Sequence, residues 1–279
     1  MLRFGGLFQH VLAARSSATG KMSARVDSAE IAKEFHERGY VILRGFFSVD
    51  TMASLIDRAE VLWSDPNKIV SRNNLRCRFM AHHVSGELLL ECFDPVVDIA
   101  PEMHIAATCK PLMDILRAIY GCAGYLFKDK LIFKPSGALG YPLHQDYISW
   151  PDFPKSFLTV VIPLDAATEE NGCTVVYPGY HRSGLMTPAD GQFHVVPRSL
   201  VREADRVPLE LASGDIALFD GFTPHESKPN SSPASRRQLY LSYNSEVDGG
   251  DRRATHYKQF HEWLQAKHPK PATEPWFFA

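Results

Sequence analysis

The sequence predicts a mainly β fold, a barrel or sandwich that packs against helices from the N-terminal half of the chain. After residue 124, short β-branched and aromatic runs alternate with Gly, Pro and Asn turns, as in antiparallel barrels and sandwiches. Before that point, apolar residues recur at helical spacing. A chain of 279 residues suits one large barrel domain with helical additions.

Capping signals mark the N-terminal helices. Asp27 with Glu30 resembles a capping box, and it begins a short amphipathic helix that ends at Gly39. The next predicted elements are a strand at 40–43, a helix from Ser48 to Asp65, a polar irregular segment at 67–87 and a helix at 101–120.

The strands of the second half are predicted from β-branched and aromatic runs. They lie at residues 125–133, 157–162, 173–177, 216–219 and 238–243. Asn171-Gly172 is a strong hairpin signal before the third of these runs. Closely spaced strands with such turns complete the barrel or sandwich prediction.

Composition excludes several classes of function. The net charge of −2, without a dense basic tract, argues against nucleic-acid binding. No apolar run reaches the roughly 18 residues that a membrane span requires. The five cysteines are odd in number and form no C-x-x-C, which indicates free thiols in a reducing, intracellular and by expectation cytoplasmic setting.

Residues 1–26 differ from the rest of the chain. They contain four basic residues and several Ser and Ala, with no acidic residue before Asp27. This composition is typical of a mitochondrial targeting peptide. The alternatives are a flexible basic tail or a true start at Met22. Residues 27–279 are expected to form a single domain.

The stretch 143–146 carries the candidate chemistry. His144 and Asp146 are two residues apart, so on an extended strand they point to the same side. His225 on another strand would complete a face of two histidines and one carboxylate. A single His-x-Asp triplet is expected by chance in a chain with 12 His, so its context decides its value.

That context resembles the phytanoyl-CoA dioxygenase family of Fe(II)- and 2-oxoglutarate-dependent oxygenases. The resemblance runs from about residue 35 to residue 244. It comprises, in the family's order, Phe35-x-x-x-Gly39, Lys128-Asp-Lys130, Leu143-His-Gln-Asp146, Glu170-Asn-Gly through Gly179-Tyr-His181, Gly214-Asp215, His225-x-Ser227 and Arg236.

The resemblance implies a double-stranded β-helix, or jelly-roll, with iron at its open mouth. It implies that His144, Asp146 and His225 hold Fe(II) and that Arg236 binds the distal carboxylate of 2-oxoglutarate. Ser227 is expected to assist that contact, and Lys130 to line the cofactor, the substrate or an acid.

Coordination chemistry agrees with these roles. Two imidazoles and one carboxylate leave three positions on the iron, two for 2-oxoglutarate and one for O2. The distal carboxylate needs a fixed and permanently charged fork, which only Arg supplies. Related halogenases lack the carboxylate ligand, so the presence of Asp146 favours hydroxylation with release of succinate and CO2.

The substrate is expected to be a small polar molecule that is anionic or zwitterionic. Arg76, Arg78 and Lys130 would meet its anionic group, while Tyr147 and Trp150 would pack on an alkyl or ammonium group. Bacterial relatives with a similar Lys-Asp-Lys strand hydroxylate 2-aminoethylphosphonate, so an aminoalkylphosphonate is the first hypothesis. A fatty acyl-CoA, a lipid-like acid or a secondary metabolite is the alternative.

Other readings of the same residues stay open. His225 is also compatible with a satisfied core histidine, and Arg236 with an ordinary cation at a strand edge. A non-oxidative metal- or ligand-binding barrel, or a zinc hydrolase, is compatible with the His-Asp-His set, and Arg236 argues against the hydrolase. His181 is expected in a structural hydrogen bond, with His82 and His83 solvated. The tail at 252–279 suits a helix that closes the barrel or a partner surface.

Overall fold

Two antiparallel sheets enclose the functional part of the molecule. The computed structural model describes residues 27–64, 69–150, 152–267 and 275–279, and the candidate targeting segment 1–26 lies outside them. The helices are α1 Ser28–Arg38, α2 Val49–Ser64, α3 Pro101–Ala107, α4 Lys110–Tyr120 and α5 Arg253–Lys267. The strands are β1 Tyr40–Leu43, β2 Cys77–Ala81, β3 Leu88–Phe93, β4 Gly124–Lys134, β5 Tyr141–His144, β6 Leu158–Pro163, β7 Thr174–Val176, β8 Val207–Pro208, β9 Ile216–Asp220, β10 His225–Ser227 and β11 Arg236–Ser245.

The sheets have seven and four strands, in the orders β1-β9-β6-β11-β4-β3-β2 and β5-β10-β7-β8. Side chains that alternate along β4 separate two environments. Leu131 and Phe133 join the core beneath the helices, whereas Lys128, Lys130 and Ile132 face a cavity between the sheets. This arrangement confirms the predicted double-stranded β-helix.

The N-terminal helices cover the outer face of the large sheet. Ile31 of α1, Leu55 of α2 and Leu116 of α4 belong to one buried cluster with strand residues such as Leu239. The predicted cap is present, because the Asp27 side chain accepts a hydrogen bond from the Ala29 backbone. This packing leaves the inner face of the large sheet free to line the cavity.

Two predictions for the N-terminal half were wrong, the single helix at 101–120 and the irregular segment at 67–87. The predicted helix at 101–120 is divided into α3 and α4 at Thr108–Cys109, because Pro111 belongs in a first turn and not in a helix interior. The segment at 67–87 is not irregular throughout. Its part at 77–81 forms β2, which pairs with β3 at the sheet edge.

The Asn171-Gly172 turn does not join a β-hairpin as predicted. Gly172 has φ +70°, as tight turns often require. However, the strand that follows, β7, pairs with β10 and β8 in the small sheet, while the preceding β6 pairs with β11 and β9 in the large one. The turn therefore carries the chain from one sheet to the other.

Helix α5 is fastened beside β4 by buried polar contacts. The Arg253 guanidinium donates to Asp129 Oδ2 at 2.7 and 2.9 Å. The Tyr257 hydroxyl donates to Asp94 Oδ1 at 3.0 Å. The C-terminal tail thus takes the first of its two expected forms, a helix against the barrel. No helix among the described residues has the length and hydropathy for a membrane span.

Candidate metal centre and cavity

Three potential ligands converge where the small sheet meets the large one. His144 ends β5 and His225 begins β10, and the two are paired across these antiparallel strands. Asp146 Oδ1 lies 3.7 Å from His144 Nε2 and 3.5 Å from His225 Nε2. One ligand atom from each of the three residues lies within 4.8 Å of the others. This is a suitable geometry for a single metal ion.

The tautomers of both histidines suit metal binding. His144 Nδ1 lies 2.8 Å from the Pro142 carbonyl oxygen, and His225 Nδ1 lies 3.0 Å from that of Thr223. A carbonyl only accepts, so each Nδ1 carries the proton and each Nε2 presents a lone pair to the shared centre. Carbonyl oxygens commonly orient metal-binding histidines in this way.

The charge states agree with this geometry. Burial and the neighbouring His225 lower the pKa of His144, which keeps its ring neutral. Burial alone would raise the pKa of Asp146, but the two facing histidines hold it well below its ordinary value. Asp146 Oδ2 also accepts a hydrogen bond from Thr159 Oγ1 at 2.9 Å. The centre therefore offers two imidazoles whose Nε2 atoms point to the same place and one oriented carboxylate.

The centre opens into a cavity of about 340 Å³ between the sheets. Ile132, Tyr141, Thr174, Ser227 and Tyr240 line its inner end, and Lys128, Trp150, Phe153, His256, Phe260 and Trp263 line its outer end beneath α5. Lys130 lies between the two ends, because on β4 it is two residues from Lys128 and two residues from Ile132. The volume is at the small end of the range for ligand pockets.

A second polar group lies behind the inner end. Arg236 is 1% exposed, and its Nε and Nη1 atoms have no hydrogen-bond partner in the described chain. It is paired across the sheet with Lys134, whose Nζ lies 3.0 Å from Ser227 Oγ. Burial and Arg236 lower the pKa of Lys134 to about 6. A buried anion would satisfy the guanidinium, so these residues fit a carboxylate.

The family model for phytanoyl-CoA dioxygenase (PhyH) matches residues 35–238. The chain belongs to the phytanoyl-CoA dioxygenase family. This membership confirms the predicted class of enzyme, a non-haem iron dioxygenase that uses Fe(II), 2-oxoglutarate and O2.

Relatives in the PhyH family include enzymes named for phosphonates. A 2-aminoethylphosphonate dioxygenase from an uncultured bacterium is 28% identical over 234 residues, 82% of this chain and 86% of the relative. A methylphosphonate hydroxylase from Gimesia maris is 35% identical over 145 residues, 52% of this chain and 54% of the relative. The crystal structure of EctD from S. alaskensis with bound Fe is 21% identical with a TM-score of 0.65, covering 92% of this chain and 90% of that one. That similarity supports the fold.

Of the residues predicted to contact the substrate, Trp150 and Lys130 line the cavity. Arg76, Arg78 and Tyr147 do not. Arg76 is 2% exposed and donates to both Asp98 oxygens, at 2.7 and 2.9 Å. Arg78 donates to the Leu75 carbonyl at 2.7 Å and lies over the Phe260 ring. Tyr147 packs on Phe222 with ring centroids 4.5 Å apart. The two arginines of this polar segment therefore make contacts within the protein and do not face the substrate cavity.

We expect Arg76→Met to destabilise the protein without changing substrate binding. The replacement leaves Asp98 and the Pro95 carbonyl without their donor. Because Asp98 is partly exposed, the loss should be about 2 kcal/mol, less than for a fully buried pair. Thermal unfolding should show a lower melting temperature, while the KM of the substrate stays within twofold. A large rise in that KM would instead restore Arg76 to the substrate site.

The three other histidines singled out by the sequence, His181, His82 and His83, have structural contacts. His181 Nε2 lies 3.1 Å from the His36 carbonyl oxygen, as expected for a structural hydrogen bond. His83 is exposed but its Nδ1 lies 2.8 Å from the Gly137 carbonyl oxygen, and its ring stacks on that of His82. Neither His82 nor His83 lines the cavity, so they remain outside the candidate site.

The sequence suggested that the C-terminal tail could be a helix closing the barrel, but it did not identify which residues of α5 line the cavity. His256, Phe260, Trp263 and Lys267 all line it. Their spacing of three to four residues places them on one face of a helix. That periodicity is visible in the sequence, but nothing local indicates that this face covers the mouth of the barrel.

Proposed function

We propose that His144, Asp146 and His225 hold Fe(II) and that Arg236, with Ser227, holds the distal carboxylate of 2-oxoglutarate. The observation that carries the proposal is the arrangement of these groups: one ligand atom from each of two histidines and a carboxylate face one point, and a buried guanidinium has two nitrogen atoms without a partner among the described residues. With both bound, the site supplies oxidation of a substrate C–H bond together with release of succinate and CO2.

The chain's own residues orient and shield this chemistry. The carbonyls of Pro142 and Thr223 fix both imidazoles, and Thr159 fixes the carboxylate. Arg236 supplies positive charge at the inner end, where a dicarboxylate would otherwise be costly to bury, and the neighbouring Lys134 donates to Ser227 Oγ. Phe193 packs near His144, with ring centroids 5.4 Å apart.

The substrate we propose is a small zwitterion with a phosphonate group, an aminoalkylphosphonate in the first place. Lys130 lines the cavity and makes no ion pair within the described chain. Burial would lower the pKa of Lys130, but Asp146 and Asp94 raise it, so the ammonium stays charged. Trp150 at the outer end offers an aromatic surface for the alkyl part of the substrate. Two relatives named for phosphonates agree with this class.

A stimulation assay tests the substrate class. Purified protein with Fe(II), 2-oxoglutarate and O2 should release succinate faster when 2-aminoethylphosphonate is added, and the product should gain one oxygen by mass spectrometry. Long-chain acyl-CoA should not stimulate, because a cavity of about 340 Å³ cannot enclose it. Stimulation by acyl-CoA alone would overturn the phosphonate proposal and leave the metal and 2-oxoglutarate roles intact.

We expect Lys130→Met to raise the KM for an anionic substrate about tenfold or more, with little change in the KM for 2-oxoglutarate. Lys130 and Lys134 are four residues apart on β4 and share one face of the strand, with Ile132 between them. In the proposed site, Lys134 lies toward 2-oxoglutarate and Lys130 toward the substrate. Loss of a charge-assisted contact of this kind costs about 1.5–3 kcal/mol. Initial rates at varied concentrations of each compound separate the two constants. A selective rise in the 2-oxoglutarate KM would assign Lys130 to the co-substrate.

A further inference from the structure

Beneath α5, the outer end of the cavity contains a buried polar atom that the proposed chemistry does not use. His256 is 5% exposed, lines the cavity, and its Nε2 atom has no hydrogen-bond partner among the described residues. An unsatisfied buried polar group is costly, and such groups in native proteins call for a specific explanation. Because the His256 ring lines the cavity, a ligand bound there would explain the unsatisfied Nε2 atom.

Aromatic contacts hold the His256 ring in place. It lies 4.4 Å from the Phe127 ring, measured between centroids, and stacks parallel to Phe260 at 5.9 Å. The Trp150 ring is also near the His256 ring, with centroids 6.4 Å apart. A ring fixed in this way meets a ligand with little further loss of conformational entropy.

The surroundings of His256 favour an anion. Lys128 lines the same part of the cavity, and its Nζ lies 4.2 Å from the centroid of the Phe260 ring on which His256 stacks. Lys128 also forms an ion pair with Asp94 at 3.2 Å, which fixes the ammonium beside the cavity. Lys130 follows on the same face of β4. Two ammonium groups and one imidazole thus border one small space.

We propose that Lys128 and His256 form an oxyanion subsite that binds the phosphonate group of the substrate, with Lys130 at its inner edge. This deepens the proposed function and rests on it. Burial and the neighbouring Lys128 lower the pKa of His256 to about 3, so the ring is neutral and its Nε2 can donate one hydrogen bond to an oxygen. Helix α5 would then determine substrate specificity, because it carries the imidazole.

The test is an anaerobic binding titration of the protein loaded with Fe(II) and 2-oxoglutarate. The probes are 2-aminoethylphosphonate and inorganic phosphate, and the signal is tryptophan fluorescence, since Trp150 and Trp263 line the cavity. His256→Phe preserves the stacking but removes the nitrogen, so we expect the Kd for 2-aminoethylphosphonate to rise about tenfold or more. His256→Gln keeps an N–H donor and should recover part of the affinity.

The matched control is His261→Phe. His261 lies on the same helix and also has an Nε2 without a partner among the described residues, but it does not line the cavity. Its replacement should leave the Kd unchanged. The thermal stability of His256→Phe should equal or exceed that of the wild type, because the variant removes an unsatisfied buried atom.

Two results would overturn the subsite. One is equal binding of 2-aminoethylphosphonate by the wild type and His256→Phe. The other is no binding of either probe by the wild type. Substrate-independent succinate formation, measured aerobically on the same samples, reports separately on the iron and 2-oxoglutarate roles. If succinate forms and neither probe binds, only the oxyanion subsite and the phosphonate proposal fail.

Discussion

Replacement of Asp146 by Ala should abolish iron binding and 2-oxoglutarate turnover together. The variant removes the sole carboxylate of the candidate centre and leaves only the two imidazoles. Loss of an outer contact to a metal ligand already costs about 10–100-fold in metal affinity, so loss of a direct ligand should cost more than about 100-fold. Iron retained after anaerobic gel filtration, and succinate formed under O2, are the two measurements.

Asp114→Ala provides the matched control for this variant. Asp114 is an exposed carboxylate on α4, paired with Lys110 and remote from the cavity. Its loss should change neither iron content nor succinate formation. Normal succinate formation by Asp146→Ala would contradict the assignment of the metal ligands and would favour a different centre for the reaction.

The clustering of the three proposed metal ligands was partly predictable from the sequence, because two of them lie close together along the chain. On an extended chain a period of two places His144 and Asp146 on one side. In the fold both face the candidate centre, although β5 ends at His144. Only the pairing of His225 with His144 required tertiary structure. The motifs that resemble the PhyH family supplied that link, which spacing alone does not contain.

The substrate residues were less predictable, since their roles depend on which face of the sheet is covered. Arg76 and Arg78 are basic residues in a polar segment, so the sequence suggested a binding surface. In the fold, Arg76 is buried and instead pairs with the partly exposed Asp98. The reverse holds for His256, which nothing in the local sequence marks as a cavity residue. It reaches the cavity only because α5 packs beside β4.

Replacement of Arg236 by Met should raise the KM for 2-oxoglutarate about 100-fold while iron binding stays normal. The guanidinium is buried, next to Lys134, with two nitrogen atoms that lack partners in the described chain. Truncation of one member of a buried charge pair typically costs 2–5 kcal/mol, which is at least about 30-fold in affinity. Initial rates of succinate formation at varied 2-oxoglutarate concentration give the constant.

Stability separates this role from a structural one. Without 2-oxoglutarate, the Met variant should be as stable as the wild type or more so, because it removes an unpaired buried cation from beside Lys134. With saturating 2-oxoglutarate, the wild type should melt at a higher temperature through ligand binding, and the variant should not. A thermal shift assay with and without 2-oxoglutarate measures both effects.

The adjacent Arg237 is the control that makes the comparison decisive. Its guanidinium lies on the other face of β11 and pairs with Asp165 at 2.8 Å and with Glu60. Arg237→Met should therefore lower the melting temperature of the 2-oxoglutarate-free protein and leave the KM for 2-oxoglutarate within about twofold. Because neighbouring strand residues face opposite sides, the two variants should show opposite effects. If Arg236→Met instead behaves like Arg237→Met, the buried guanidinium is structural and the carboxylate of 2-oxoglutarate binds elsewhere.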